Sequence, residues 1–257
     1  VEIVIVTLTT DFGGHYVGIM KGVIKRIAPT AEVIDLGTDV QPFDVKGGAF
    51  VLYSSYKYFP PGTVHVAVVD PGVGSERRAI AVRSRNYYFV GPDNGVLIPA
   101  AREDGVVEMR EISNRELFLE DISSTFHGRD IFSPVAAFLA NGGEFEKVGG
   151  KVEIVKDLEF FREVSEGRAE GEVLFVDRFG NLVTSLIEGD LAEKECVIEF
   201  EGKRLRARHA RTYSEGREGE ILIIKGSSGH YEISVREGSA KEVTGLGVGR
   251  RFAVLDP

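Results

Sequence analysis

Cysteine is almost absent from this 257-residue chain, and Cys196 is its single thiol. One thiol excludes an internal disulfide framework and any Cys-rich zinc site. In the run Cys196-Val197-Ile198 it reads as a small buried apolar residue. Tryptophan is missing and Gln41 is the single glutamine. That scarcity, beside abundant Glu, Arg, Val and Ile, suits a heat-adapted source, a thermophile. Positive charge is in deficit: 31 Lys and Arg face 40 Asp and Glu, for a net charge of −9. No dense basic stripe appears, so a nucleic-acid partner is not expected. The most basic stretch, Lys203 to Arg211, alternates with Leu205 and Ala207 and reads as a strand with one solvated face. No apolar run approaches the roughly 18 residues of a membrane span. The segment Val1 to Thr10 shows neither a basic n-region nor a cleavage pattern, so a cytoplasmic location is expected. Neither H-x-x-x-H nor H-E-x-x-H occurs, which leaves no expected metal site. The phosphate-loop and G-x-G-x-x-G patterns are also missing, which argues against nucleotide phosphate or dinucleotide binding of those kinds.

The patterning that is present divides the chain. Ile3 to Thr9 is a β-branched run expected as a buried strand. From Tyr16, apolar residues fall at Ile19, Met20, Val23, Ile24 and Ile27, a helical spacing stopped by Pro29. Ala31–Leu36 and Thr63–Asp70 read as further strands, with a helix over Asp44–Tyr58 between them. The β-α-β-α-β order implies an α/β domain with a largely parallel sheet. A hairpin is expected where Arg85-Asn86 separates Ala79–Ser84 from Tyr87–Val90, and a helix over Arg129–Ala140. Residues 157–168 are charged and read as a linker between domains at 1–156 and 169–257. Beyond it, strand-like runs recur with Gly-containing turns, which argues for a small all-β barrel or sandwich.

Chemistry is expected in the loops beyond the carboxyl ends of parallel strands. Asp11 follows the first strand and Asp70 ends the third. Each has a plainer reading, Asp11 as a helix cap and Asp70 as the start of a Pro-Gly turn. Two carboxylates on one edge of the sheet favour a site. Asp70-Pro71-Gly72-Val73-Gly74 runs on to Arg77-Arg78, whose guanidinium groups suit an anion. His127 lies in Thr125-Phe126-His127-Gly128-Arg129-Asp130 ahead of a helix. In the second domain, Asp177-Arg178-Phe179-Gly180-Asn181 reads as a β-turn, and Tyr213 and Gly226-Ser227-Ser228-Gly229 as loops able to touch a ligand.

Thr10-Asp11-Phe12-Gly13, Asp70 to Gly74, Gly91-Pro92-Asp93-Asn94-Gly95, His127 to Asp130 and Asp177 to Asn181 occur in this order. Together they resemble the S-adenosylmethionine hydroxide adenosyltransferase family, the adenosine-forming S-adenosylmethionine hydrolases, related to fluorinase and chlorinase. The resemblance implies hydrolysis of S-adenosylmethionine (SAM) to adenosine and methionine, with no cofactor beyond the substrate. It implies a homotrimer with each active site at a subunit interface. The implied catalytic set is Asp70, His127 and Arg77 or its neighbour Arg78, with Arg77 preferred. Implied substrate contacts are Asp11 on the ribose, Phe43 near sugar and sulfonium, and Asp177 on the methionine ammonium. Phe179, Asn181 and Tyr213 are implied at adenine, and Ser227, Glu232 and Val235 in the last binding segment. The resemblance also marks departures from the fluorinase, which carries Tyr at the place of Asp70 and Tyr-Ser at His127-Gly128. Alternative expectations are a SAM or adenosine sensor with negligible turnover, a halide transferase and, more distantly, a metal-dependent hydrolase.

Overall fold

The computed structural model describes residues 4–153, 155–191 and 195–256. The start of the first expected strand, Ile3, lies outside them. The chain divides into two compact units, Val1–Leu158 and Glu159–Pro257.

The first unit is built on β1 (Ile5–Thr10), α1 (Gly14–Ile27), β2 (Glu32–Gly37), α2 (Val45–Ser55), β3 (Val64–Val68), β4 (Ala79–Ser84), β5 (Tyr88–Pro92), α3 (Ile98–Asp104), β6 (Val106–Glu111) and α4 (Ser133–Ala140). Its six strands form one sheet in the order β2-β1-β3-β5-β4-β6. The pairings among β2, β1, β3 and β5 are parallel, and those of β4 with β5 and β6 are antiparallel. The β4–β5 hairpin is the one expected at Arg85-Asn86, and the Asp104 carboxylate accepts from the Asn86 amide nitrogen and side chain, both at 2.8 Å.

Burial explains why β1 reads as a β-branched run without alternation of charged residues. Val6 and Leu8 on one face and Thr7 and Thr9 on the other are fully buried. On α1, Met20, Val23 and Ile24 of the expected stripe are buried, and so is Val17, whereas Ile19 and Ile27 remain exposed. Val17, Met20 and Ile24 join Val66, Phe132 and Val135 in one core. Each such side chain contributes about 1.5–3 kcal/mol by leaving water. The Asp44 side chain caps α2 by accepting from the Gly47 amide at 2.8 Å. The helix expected over 129–140 begins instead as a single π-helical turn, Gly128–Phe132, before α4. α3 and β6 had no counterpart in the sequence reading.

The second unit comprises β7 (Arg162–Ser165), β8 (Arg168–Val176), β9 (Leu182–Ile187), β10 (Glu195–Phe200), β11 (Lys203–Ala210), β12 (Ile221–Lys225), β13 (His230–Val235), α5 (Ala240–Thr244) and β14 (Arg251–Leu255). The strands run β14-β10-β11-β12-β13-β9-β8, and β14 pairs back onto β8, closing a barrel. Its interior holds Val173, Leu182, Ile198, Ile223, Ile233 and Val254. β7 is an additional antiparallel partner of β8 and lies within the stretch read as a linker. All four of its residues are exposed, so it carries no inside-outside alternation for a sequence reading to find. The strand β11 has the solvated face expected of it, where Arg204 and Arg208 pair with Glu199 and Glu220. Cys196 is buried as expected, and burial pushes its thiol up to about 11. Among the described residues no helix is long and apolar enough to cross a membrane.

One buried titratable group couples the first unit to pH. His65 on β3 is fully buried, its ring among those of Tyr56, Phe59, Tyr87 and Phe89. Its Nδ1 lies 2.7 Å from the Thr7 hydroxyl. Burial pulls its pKa down to about 3. An unfolded histidine takes up a proton near pH ~6.5, whereas the folded one stays neutral. The resulting stability is complete above that pH and is lost as pH falls toward 3, at about 1.4 kcal/mol per pH unit. Urea titrations of the wild type and His65→Phe should therefore converge by roughly 2 kcal/mol between pH 6.5 and 5. Curves that stay parallel across that window would exclude the coupling.

Candidate active site

The sheet sets the positions of the two acidic turns. β1 and β3 are parallel neighbours in which Thr10 faces Val68. Asp11 and Asp70 therefore emerge from adjacent strand ends on one edge. Asp11 does not cap α1, whose N-cap is Gly13 without a side-chain bond. Its Oδ2 instead accepts the Phe43 amide at 2.7 Å. Phe43 has φ +67°, a left-handed conformation unfavourable for a bulky residue, and is 73 % exposed.

The turn after β3 brings the next groups together. Arg77 Nε donates to both Asp70 oxygens, at 3.0 and 2.9 Å, and its Nη2 donates to Oδ2 at 2.5 Å. The same Nη2 lies 2.9 Å from His127 Nδ1. The guanidinium stacks at 5.3 Å over the Phe132 ring. Arg78, immediately before β4, turns elsewhere, and its Nε donates to Asp93 Oδ2 at 2.9 Å. In this geometry Arg77 bridges the carboxylate and the imidazole. The Gly91–Gly95 motif is a brace: Asn94 Nδ2 donates to the Val69 carbonyl at 2.8 Å, and Asp93 also accepts the Lys156 amide at 2.6 Å.

A guanidinium can only donate, so His127 Nδ1 accepts and the ring proton sits on Nε2. Burial chiefly, and then the Arg77 charge, lower the His127 pKa against the opposing pull of Asp70 and Asp130. The imidazole is thus held neutral, presenting Nε2–H as a donor.

Asp11, Asp70 and His127 line a cleft of about 240 Å³ together with Phe12, Tyr16, Val68, Val73, Thr125, Phe126 and Gly128. Arg77 stands behind this wall rather than on it, and Phe43 stands outside the cleft. The sequence reading missed the edge-to-face aromatic trio of Phe12, Tyr16 and Phe126, with centroids 5.3–6.3 Å apart. Phe12 and Phe126 each adjoin a singled-out residue, so adjacency was the available signal. Tyr16 shares the helical spacing of core residues and gave none.

In the barrel unit, Asp177, Phe179, Asn181, Tyr213, Ser227, Glu232 and Val235 all line one cleft of about 760 Å³. β11 and β12 are parallel, so the connection between them runs back along the strand direction, and Tyr213 lies in it. The Asp177 turn is a β-turn as well as part of the cleft. Asp177 Oδ1 accepts the Phe179 and Asn181 amides, and Oδ2 accepts Asn181 Nδ2, all at 2.9 Å. Gly180, at φ +81°, closes the turn, and a Cβ there would stand 2.1 Å from Ser239 Oγ. Tyr213 OH donates to Glu232 Oε2 at 2.9 Å. Burial and then Glu232 push the Tyr213 hydroxyl up to about 12. Burial raises the Glu232 pKa, Asp177 adds to this, and the Tyr213 bond opposes it. The cleft is lined by three acidic side chains, Asp177, Glu232 and Glu237, by Arg211, Lys225 and Arg236, and by two aromatic ones, so its Asp177–Glu232 side can take an ammonium group and its aromatic side a planar base. Among the described residues no group of three or more His, Cys, Asp or Glu is arranged to hold a metal.

Residues 6–149 match the SAM hydroxide adenosyltransferase N-terminal domain, and residues 171–253 match its C-terminal domain. The chain is 40 % identical to the (R)-S-adenosyl-L-methionine hydrolase of Salinispora tropica, over 97 % of each chain. Against the enzyme of that name from Thermus thermophilus identity is 37 %, over 96 % of this chain and 97 % of the other. A crystal structure of an uncharacterized conserved protein from Thermotoga maritima superposes with a TM-score of 0.89 at 42 % identity, covering 97 % of this chain and 99 % of that one. With both domains matched in order around the two clefts, the chain belongs to the SAM hydroxide adenosyltransferase family.

Proposed function

We propose that this chain hydrolyses S-adenosyl-L-methionine to adenosine and L-methionine by attack of an oxygen nucleophile on ribose C5′. The observation that carries the reading is the Asp70–Arg77–His127 chain of hydrogen bonds at the wall of the small cleft. The sulfonium makes C5′ electrophilic and departs as a neutral thioether. The C5′–S bond breaks with its electron pair going to sulfur, a C5′–O bond forms, and water's second proton leaves to solvent.

The roles follow from the hydrogen bonds. Both Asp70 oxygens are taken by Arg77, so Asp70 fixes the guanidinium rather than serving as a free base. Arg77 holds His127 in the Nε2–H tautomer. That donor engages one lone pair of the oxygen and leaves another directed at C5′. Donor and cationic surroundings favour hydroxide character in the nucleophile. Asp11 receives the ribose hydroxyls and Phe43 flanks the sugar and sulfonium. In the barrel cleft Asp177, beside Glu232, takes the methionine ammonium. Phe179, Asn181 and Tyr213 hold adenine, with Ser227 and Val235 completing that segment.

We extend this to a homotrimer of cytoplasmic chains in which the small cleft of one subunit meets the barrel cleft of the next. The exposure of Phe43 and Phe179, 73 % and 72 %, supports it, since two large aromatic side chains at the two sets of ligand residues lack cover. The hydrolase relatives are named for the R epimer at sulfur, and the same preference is proposed here.

Incubation with the R epimer of SAM in H₂¹⁸O should yield methionine and adenosine labelled at the 5′ oxygen, and the S epimer should yield them more slowly. A labelled product from another carbon, or ligand binding without adenosine release, would overturn the reading. Halide should give no 5′-halogenated nucleoside, because the Asp70 carboxylate repels a halide ion. Activity should also fall on the acid side as His127 gains a proton and loses its acceptor nitrogen. Because that pKa is lowered in the fold, the midpoint should lie below the ordinary histidine value of about 6.5. A kcat profile falling already above that value would assign the limb to another group.

A further inference from the structure

We infer that Asp130 is a positioning residue for the reaction, a buried peg around which the His127 loop is wound and held against the Asp70–Arg77 turn. The inference rests on the hydrolase reading and adds a residue that does not touch substrate. Asp130 is fully buried, three residues beyond His127 within the π-helical turn. Its side chain points back along the chain. Oδ2 accepts the Ser123 amide at 2.8 Å, and Arg129 Nε and Nη2 donate to Oδ1 and Oδ2 at 2.6 and 3.2 Å. Ser123 continues the winding: its hydroxyl accepts the Thr125 amide at 3.1 Å. Arg129 closes the other side, its guanidinium 5.3 Å from the centre of the Phe126 ring. The residues before His127 are thereby tied to one carboxylate.

The far side of this loop touches the other half of the catalytic set. Gly74, at φ +76°, lies against the Ser124 carbonyl, and a Cβ there would approach that oxygen to 2.2 Å. Ser124 neighbours the residue that Asp130 anchors. The peg therefore sets how closely the loop bearing His127 approaches the turn bearing Asp70 and Arg77. The contact that depends on this is the 2.9 Å Arg77–His127 bond. A π-helical turn is an energetically poor backbone form, retained mostly at functional sites. Here it is tied by Ser133, whose hydroxyl donates to the Gly128 carbonyl at 2.7 Å.

Asp130 also acts through charge. The charged groups acting on His127 are Arg77 and Asp70 from the turn after β3, and Asp130 from its own turn. Asp130 raises the His127 pKa, so its neutralisation must lower it.

The test is Asp130→Asn in the full chain, with kcat and KM for SAM measured across pH. The expected result is a kcat reduced at least about tenfold, a KM within about threefold of wild type, and an acid limb moved to lower pH. A purely structural role would leave the limb where it was. ¹⁵N spectra of the histidine rings should show the His127 Nδ1 signal lose its hydrogen-bonded character. Should Asp130→Asn fail to fold, Arg129→Gln loosens the same peg and Gly74→Ala displaces the loop from the opposite side. Each should give the same loss of kcat at retained KM. Unchanged kcat in the folded variants, or an unmoved acid limb in Asp130→Asn, would overturn the inference while the hydrolase reading stands. A wild type without turnover would instead remove the reading itself.

Discussion

Arg77→Met should lower kcat for SAM hydrolysis by about 10²–10³-fold, the scale seen when a single preorganised donor is removed. The reason is its central place. The guanidinium occupies both Asp70 oxygens and fixes the His127 tautomer, so one substitution disconnects three groups. The methionine side chain keeps much of the packing against Phe132 that the arginine stem provides. Lysine is not a rescue, because one ammonium cannot reproduce the forked contact to Asp70 while also reaching His127. Arg78→Met is the matched control: its partner is Asp93 and it touches neither Asp70 nor His127 in the hydrogen bonds described. Stopped-time assays for adenosine, with ligand affinity measured by calorimetry, separate turnover from binding. Equal losses in the two variants would remove the assignment of Arg77.

Asp11→Ala should weaken adenosine binding by about 10–100-fold, from two effects acting together. The first is the lost carboxylate acceptor for the ribose hydroxyls, and hydrogen bonds to charged groups contribute about 1.5–3 kcal/mol each. The second is the release of Phe43. Its left-handed backbone costs about 1–3 kcal/mol and persists because Asp11 Oδ2 holds its amide. Without that anchor the segment relaxes and the ring leaves its place. Asp11→Asn separates the two effects, since an amide oxygen can still accept the Phe43 N–H. It should retain part of the affinity that Asp11→Ala loses. Calorimetric affinity equal to wild type in Asp11→Ala would exclude the ribose role.

Much of the fold could be read from spacing alone where burial is asymmetric or complete. The buried part of the α1 stripe and the run Val6–Thr10 of β1 are both of this kind. Three elements lacked such a mark. β7 is exposed along its whole length, α3 is only seven residues with Pro99 near its start, and β6 shows no fully buried residue. The site was legible as far as chain-local chemistry reaches. Asp11, Asp70 and His127 stood out by strand ends, turns and motif. The choice between Arg77 and Arg78 was not legible, because adjacent identical residues carry no distinguishing pattern. The two are told apart only by their folded partners, Asp70 and His127 for Arg77 and Asp93 for Arg78. Asp130 belongs to the same class. Its partners Ser123 and Arg129 are near in sequence, but its importance depends on Gly74, which meets the loop only in the folded unit.

The proposed reacting groups hang from the turn past β3 and the loop ahead of α4, whereas the sheet is secured by strands buried on both faces. Inheritance can therefore treat the two separately. Point changes at that turn and loop would alter reactivity while leaving the fully buried side chains of β1 and β3 in place. A lineage on this frame is free to diversify in reactivity far faster than in architecture.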